Sequence, residues 1–575
     1  MLVSLIAWIY ISFICLVWGH IFLLAVLKRS GMTVLSFNTS LVCLAGLSVI
    51  GTLSFCLSLF MPLDWKAHLI LLIPVLIYCG SSAGRQAIRM QWSNTFTGLS
   101  RTGYYLLTIC ILMVLTISVH TIAHPDTLNY HAKSILLFEK YGVVPGIANL
   151  KKELGFQCGW FASIALFKPG LAAFRHVIFL NGTILCWYFL FVVQKIFSAD
   201  KEKDRWIWLL LLFYTFFSWT QIRLTAASAS PDFIVSLYCW AAFYAFLQKE
   251  NNLFYLSLVV LYCCAAILTK LSAIVIVLLA VMTIAGSFRL RTARLLILYS
   301  CVAMTILFIR NRIASGYLLY PFPRPDIFNP PWKMELSTIV DVQHYIAGYA
   351  RDPATRDWRG AMQAPFSEWL PKWWSGIYFP DRLLVLGILA GVLLHLGLAL
   401  SRLAKGKGTP GPFVAVKKYF FAFPVALAGS LIWFLGAPSP RFGTGYLIPL
   451  IFLLYRALPF SGLTAYLTSF VKKPLSAKYS ALLLVTGCLT IAIAAYTTYR
   501  CSYFLEPSEL IMPSGIVNSA YAPIGCENVR VDLEKDSITT GQKTGPLYCI
   551  EPIGGFSPIG TTISDGFKPA VLPLK

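Results

Sequence analysis

Charge is what this sequence is short of. Only 12% of its 575 residues are Asp, Glu, Lys or Arg, against roughly 25% in an ordinary soluble domain. So thin a supply cannot clothe a water-facing surface of this size, which excludes a soluble enzyme or binding module. Acid is scarcer than base: 24 acidic residues stand against 47 Lys and Arg, a formal charge of +23. The 15 cysteines include no Cys-x-x-Cys and no zinc-type spacing. The opening Met1-Leu2-Val3-Ser4 lacks the basic start of a cleaved signal peptide, and no convincing small-residue cleavage site follows. The first apolar block is therefore expected to be retained as a span. Internal repeats and low-complexity tracts are not evident.

What fills the chain is apolar: 58% hydrophobic, 15% aromatic, mean hydropathy +0.71. These residues come in blocks near the ~20 residues that a spanning helix needs. In hydrocarbon every backbone amide must be satisfied within its own segment or in a closed barrel. The blocks show no period of two, so helices are expected. Spans are placed near 2–27, 34–60, 67–83, 104–123, 175–194, 206–221, 232–247, 252–269, 271–287, 294–310, 382–400, 419–436, 443–457 and 479–498. The fold class is an all-α polytopic membrane protein of about 14 transmembrane helices, with two long outer loops and a small C-terminal appendage.

With those spans, the charge sorts by side. One side carries 22 bases against four acids, the other 25 against 20. Short basic loops stay in the cytoplasm, so the excess charge reads as topology, and no nucleic-acid partner is expected. Both termini then lie outside. The divisions are 1–123, N-terminal spans; 124–174, a first outer loop with interfacial helices; 175–310, central spans; 311–381, a second outer loop; 382–498, C-terminal spans; and 499–575, an extracytoplasmic tail. Within the first loop, Tyr130, Ser134, Leu137, Phe138 and Tyr141 recur at helical spacing, which predicts a helix lying in the membrane interface. The tail, rich in Gly and Pro, is expected to form short strands within 516–531 and 547–562. Of four cysteines expected outside, Cys158, Cys501, Cys526 and Cys549, the last two are the preferred disulfide pair.

The densest polar signal follows the fourth span: His120-Thr-Ile-Ala-His124-Pro-Asp126-Thr-Leu-Asn129-Tyr130-His131. A carboxylate at the membrane border loses hydration, which raises its pKa and its basicity. Asp126 is also well placed to cap a helix. The histidines with Asp126 match no metal-ligand spacing, so no metal is assigned and no cofactor is expected.

Asp126-x-Leu-x-Tyr130-His131 at the start of the first long loop resembles the acidic motif of the GT-C glycosyltransferase superfamily. These multi-spanning enzymes use polyprenyl-phosphate-linked sugars and include bacterial lipid A aminoarabinose transferases and protein mannosyltransferases. Leu268-Thr269-Lys270 is similar to the family's Thr-Lys turn. Ile309-Arg310-Asn311 with Ser315-Gly316-Tyr317 and Tyr320-Pro321 resembles the segment opening its second loop. Pro440-Arg441-Phe442 before Tyr446-Leu-Ile-Pro449 resembles its Arg-Tyr element. The resemblance covers roughly residues 104 to 460. It implies that Asp126 deprotonates the acceptor or steadies an oxocarbenium, and that Arg441 and Lys270 grip the donor phosphate. Tyr130, His131, Asp232 and Arg310 complete the implied substrate-binding set.

The bland readings stand beside these roles. Lys270, Arg310 and Arg441 at helix ends are also suited to snorkelling toward headgroups. Asp232 after Pro231 is suited to a helix cap with Arg223 as salt-bridge partner, and Trp373 and Trp374 to the aromatic belt or a sugar stack. No Asp-x-Asp lies near the outer span ends, so metal-dependent transfer is not expected.

The resulting expectation is a bacterial inner-membrane glycosyltransferase. It would move a sugar from a polyprenyl-phosphate donor to a glycan, lipid or protein acceptor at the outer face. A glycan polymerase or ligase is one alternative, with Arg324, Arg351, Arg356 and Arg359 on the second loop. A lipid or solute transporter is another, with His20 and His395 as its mid-span ionisable groups.

Overall fold

The computed structural model describes residues 1–27, 34, 37–97, 99–122, 124–168, 177–197, 205–218, 225–226, 228–248, 253–286, 291–404, 417–456, 507–526, 529–540 and 556–569. It is mostly helical. The helices are α1 (Leu2–Leu27), α2 (Thr39–Leu57), α3 (Trp65–Gly80), α4 (Ser82–Phe96), α5 (Arg101–Ser118), α6 (Ala132–Lys140), the single turn α7 (Ile147–Leu150), α8 (Gly159–Leu166), α9 (Leu180–Phe197) and α10 (Arg205–Phe217). After these come α11 (Asp232–Leu247), α12 (Leu253–Thr269), α13 (Val277–Gly286), α14 (Arg291–Ser315), α15 (Leu336–Arg351), α16 (Trp358–Gln363), α17 (Phe366–Gly376), α18 (Phe379–Ala404), α19 (Lys417–Gly436) and α20 (Pro440–Arg456).

Seven described helical segments are long and apolar enough to cross a membrane: Leu2–Leu27, Thr39–Leu57, Arg101–Ser118, Leu180–Phe197, Ala293–Ser315, Phe379–Ser401 and Lys418–Gly436. An eighth arises if α3 and α4, bent by 96°, count as one span. The break falls at Ser81, whose extended backbone ends α3 and whose hydroxyl accepts from Gly84 N–H to cap α4. The expected count of fourteen thus rests partly on shorter apolar helices, Asp232–Leu247, Leu253–Thr269 and Leu271–Gly286. Their apolarity has a second physical source. From Ser257 to Thr269 every residue of α12 is buried against protein, whereas only 11% of the best window of Phe379–Ser401 is buried. A helix hydrophobic all round is buried by neighbours or by lipid, and composition does not tell the two apart. The span expected at 479–498 lies outside the described residues.

The tightest helix pair is α1 with α2. A Cβ added at Gly46 would stand 1.8 Å from Cys15 O, and one at Gly19 would stand 2.2 Å from Val42 O. Small residues let two backbones approach this closely, which is the usual device for helix association in lipid.

The expected interfacial helix exists as α6, but it is enclosed. Every residue from Ala132 to Phe138 is buried, and the tail covers it. Lys133 Nζ donates to Ala520 O at 2.6 Å, and Lys140 Nζ to Glu534 O at 2.5 Å. The tail contains an antiparallel sheet of β1 (Ile524–Cys526), β2 (Val529–Asp532) and β3 (Ser537–Thr540), plus the pair β4 (Phe556–Pro558) and β5 (Phe567–Pro569). Val531 opposes both Ile524 and Ile538. Backbone bonds fasten the tail to the segment after α5 and to the first loop: Ser514 N–H to Val119 O, Ile122 N–H to Gly515 O, and Phe567 N–H to Pro145 O. The Met1 amino group donates to Glu509 O at 2.6 Å, so the N-terminus and the tail share one end of the bundle. The Cys526–Cys549 pairing cannot be followed, because Cys549 and the side chain of Cys526 lie outside the described residues.

Candidate functional site

Four charged side chains from distant segments meet where helices α11, α12 and α20 present the same end of the bundle. Asp232 is the first residue of α11, Lys270 follows the last residue of α12, and Arg441 is the second residue of α20. Asp126 arrives in the turn after α5. The Arg441 guanidinium joins the two acids. Nη1 lies 2.9 Å from Asp126 Oδ2, and Nε lies 3.5 Å from Asp232 Oδ2. Lys270 Nζ then meets Asp232 Oδ1 at 2.5 Å. The order Asp126–Arg441–Asp232–Lys270 alternates in sign and sums to zero. Lys270 Nζ also sits 3.8 Å from the centroid of the Phe442 ring, a favourable place for a cation.

Each member is held by its local sequence. His124 Nδ1 accepts the backbone N–H of Asp126 at 3.1 Å and of Thr127 at 3.3 Å. The imidazole does the work expected of the Asp126 carboxylate, which makes no capping bond. The next turn, Thr127–His131, is a π-helix, a geometry frequent at functional sites. Thr127 Oγ1 accepts from Ala229 N–H and contacts His131 Nδ1, which ties this turn to the segment before Asp232. Lys151 Nζ holds Asn129 Oδ1 at 2.5 Å. Asp232 likewise makes no side-chain cap; Pro231 holds the cap position and the carboxylate turns to the cations. Its expected partner Arg223 lies outside the described residues.

Arg441 is aimed by tryptophans. Trp373 Nε1 donates to Pro438 O at 2.6 Å and Trp433 Nε1 to Ser439 O at 2.7 Å, fixing the turn that leads into α20. Trp373 is only 2% exposed, so it is neither a belt residue nor free to stack on a sugar. Ser236 Oγ and Thr444 Oγ1 lie 2.8 Å apart, and Trp240 Nε1 donates to Thr444 O. These bonds set the register of α11 on α20 and bring Asp232 beside Arg441.

The electrostatics reverse one expectation. Burial does push the Asp126 carboxyl up, but Arg441 with His131 and His124 outweighs it and holds it below its ordinary range. Burial pushes His131 down to about 3 and lowers His124, so both imidazoles are neutral near neutrality. Asp126 is therefore a paired anion here rather than a poised base. About a third of its side chain, and of Arg441's, stays exposed, at 32% and 37%. The cluster is open enough to be reached.

Tyr130 and His131 join the site's flank, their rings 4.4 Å apart. Arg310 does not join it. Its guanidinium bonds Gln157, Ser58 and Gly142 O, none of them a cluster member. Sequence reasoning missed His124 as the cap, Phe442 as the seat for Lys270, and the tryptophans behind Arg441. Only the adjacency Arg441-Phe442 offered a signal for any of these. Among the described residues no three His, Cys, Asp or Glu side chains converge as metal ligands.

Bundle and site together define a multi-pass helical membrane protein with a charged cluster at one end. The chain belongs to the family described as a domain of unknown function, DUF8201, whose family model matches residues 1–448. That stretch contains all four cluster residues and ends before the tail. No curated protein and no solved structure matches the chain.

Proposed function

We propose that the protein is a GT-C-type glycosyltransferase of the bacterial inner membrane. It moves a sugar from a polyprenyl-phosphate donor to a glycan, lipid or protein acceptor at the outer face. The observation that carries this reading is Arg441 held between Asp126 and Asp232, with Lys270 beside them, at an exposed bundle end. An inverting transfer needs a base for the acceptor hydroxyl and cations for the leaving phosphate, and this cluster contains both.

In the resting state the cations are neutralised by the acids. A donor phosphate reaching Arg441 and Lys270 competes with the carboxylates, as a planar guanidinium is suited to bind phosphate. Once Arg441 turns to phosphate, Asp126 loses the partner that depresses its pKa and becomes the stronger base. The acceptor oxygen then gives its proton to Asp126 and bonds to the anomeric carbon. The bond from that carbon to the phosphate oxygen breaks, and the electron pair leaves with the polyprenyl phosphate.

The test is the envelope glycan profile of a null strain complemented with wild type, Asp126→Asn or Arg441→Gln at matched protein levels. The expected result is a glycan component missing in the null and in both variants. A wild-type profile from Asp126→Asn would sink the assignment.

A further inference from the structure

A second charged feature lies apart from the cluster and does not depend on the reading above. Between α6 and the segment 154–157 runs a small cleft with a cavity volume of about 20 Å³. Its walls include Ser134, Leu137, Phe138, Phe156, Gln157 and Arg310. Arg310 is 1% exposed, among the largest fully buried side chains. Nε and Nη2 donate to Gln157 Oε1 at 3.1 and 2.9 Å, Nη2 also to Gly142 O at 3.2 Å, and Nη1 to Ser58 Oγ at 2.5 Å. The Phe55 and Phe138 ring centroids lie 4.9 and 4.5 Å from its Cζ.

Every one of those acceptors is neutral. No described carboxylate lies within ion-pair distance of Arg310, so among the described residues a whole positive charge is withdrawn from water without a counter-charge. Buried charges are normally paired, because desolvation without pairing is costly. One Nη1–H remains unused by these bonds. In the same cleft the Ser134 Oγ, on a residue 4% exposed, has no hydrogen-bond partner. Arg310, with one N–H unused, and Ser134, with an unpartnered Oγ, therefore line the same small cleft, whose other walls are mostly apolar. Apolar walls with a few convergent polar groups are the usual build of a ligand site.

We infer that this cleft is an anion site that binds a phosphate group on Arg310 and Ser134. The phosphate comes either from a lipid headgroup or from free solution. Bound there, it supplies the missing counter-charge and braces the first loop, since α6 and 154–157 form two walls of one cleft. Phe156 stands 6.3 Å from Tyr130, ring to ring, which puts the cleft next to the Asp126 turn without sharing its cations.

The experiment is thermal unfolding of the detergent-solubilised full chain, followed by tryptophan fluorescence at constant ionic strength. One arm titrates inorganic phosphate against gluconate. The other compares micelles containing phosphatidic acid with micelles containing diacylglycerol. The expected result is a rise in Tm with phosphate, with phosphatidic acid, or with both; the responding arm identifies the source. Arg310→Met is expected to keep or raise Tm without phosphate, because it removes an unpaired buried charge, and to weaken the response by tenfold or more. Ser134→Ala is expected to weaken it several-fold while leaving the starting Tm near wild type. No rise in either arm overturns the proposal, as does a wild-type response from Arg310→Met. Should Arg310→Met fail to fold, a wild-type response from Ser134→Ala overturns it alone.

Discussion

Arg441 Nη1 meets Asp126 Oδ2 at 2.9 Å across 315 residues of sequence, and the same guanidinium reaches on to Asp232. One side chain thus pairs with two acids and helps hold both carboxyls down, with Lys270 contributing more at Asp232. Replacing Arg441 with Gln leaves both carboxylates near one another with Lys270 alone to balance them. The expected loss is about 1–3 kcal/mol, below that of a fully buried pair because solvent screens part of the interaction. In a double-mutant cycle with Asp126→Asn, the second change should cost much less in the Arg441→Gln background. Additive losses would show that the contact carries no energy.

Acid pH should report the same pair. Arg441 holds the Asp126 carboxyl below its ordinary 3.8, so the folded state binds this proton less readily than the unfolded chain. The pairing then contributes its full stability above the ordinary carboxylate pKa and loses it as pH falls through the folded value. Tm measured from pH 6 downward should fall less steeply below about pH 4 in Asp126→Asn than in wild type. Parallel acid limbs would contradict it.

Lys133 gives a pH slope of the same sign in an alkaline window, but as a penalty at neutral pH rather than a gain. Burial under the tail lowers its pKa from 10.5 to about 8, and Ala520 O accepts its bond. Between those values the unfolded chain binds more protons, so stability rises with pH across that window. Lys133→Met should raise Tm at pH 7 and flatten the rise from pH 8 to 10. A lower Tm at pH 7 would mean that the Ala520 contact outweighs the desolvation.

Gly46→Ala should be among the most damaging single substitutions in the bundle. Its new methyl would lie 1.8 Å from Cys15 O, and backbone cannot yield as a flexible side chain can. Overpacking of this kind costs about 1–3 kcal/mol, occasionally more. The check is the monodisperse fraction and Tm after detergent extraction, with Gly80→Ala as control because nothing lies within 4 Å of its added Cβ.

The tail should behave as part of the fold. Phe567 is fully buried, its N–H bonds Pro145 O, and its carbonyl accepts from Asn149. Phe567→Ala is expected to cost about 3–5 kcal/mol and to expose the 145–150 segment to limited proteolysis. Unchanged cleavage would make the tail an appendage after all.

Membrane character, the helical blocks and the identity of Asp126, Asp232, Lys270 and Arg441 as candidates were all legible in the sequence. Hydrocarbon demands apolar runs, and a charge at a span end stands out against them. What could not be read was partnership. Along the chain only its neighbour Arg223 offered itself to Asp232, and nothing local pointed to the two described cations beside it, from residues 270 and 441. Arg310 looked like a member of the same set, yet its guanidinium is enclosed between Phe55 and Phe138. Local sequence says which residues lie at a helix end; helix register, set here by Ser236 with Thr444 and by Trp373 with Pro438, says which ends face each other.

The sequence by itself determined the solvent, because a chain with so little charge and so many apolar blocks has to bury them in lipid and in protein. Tertiary structure alone decided the electrostatics. Whether Asp126 is a raised or a depressed acid depends on a guanidinium 315 residues away, and Coulomb energy follows distance in space rather than along the chain.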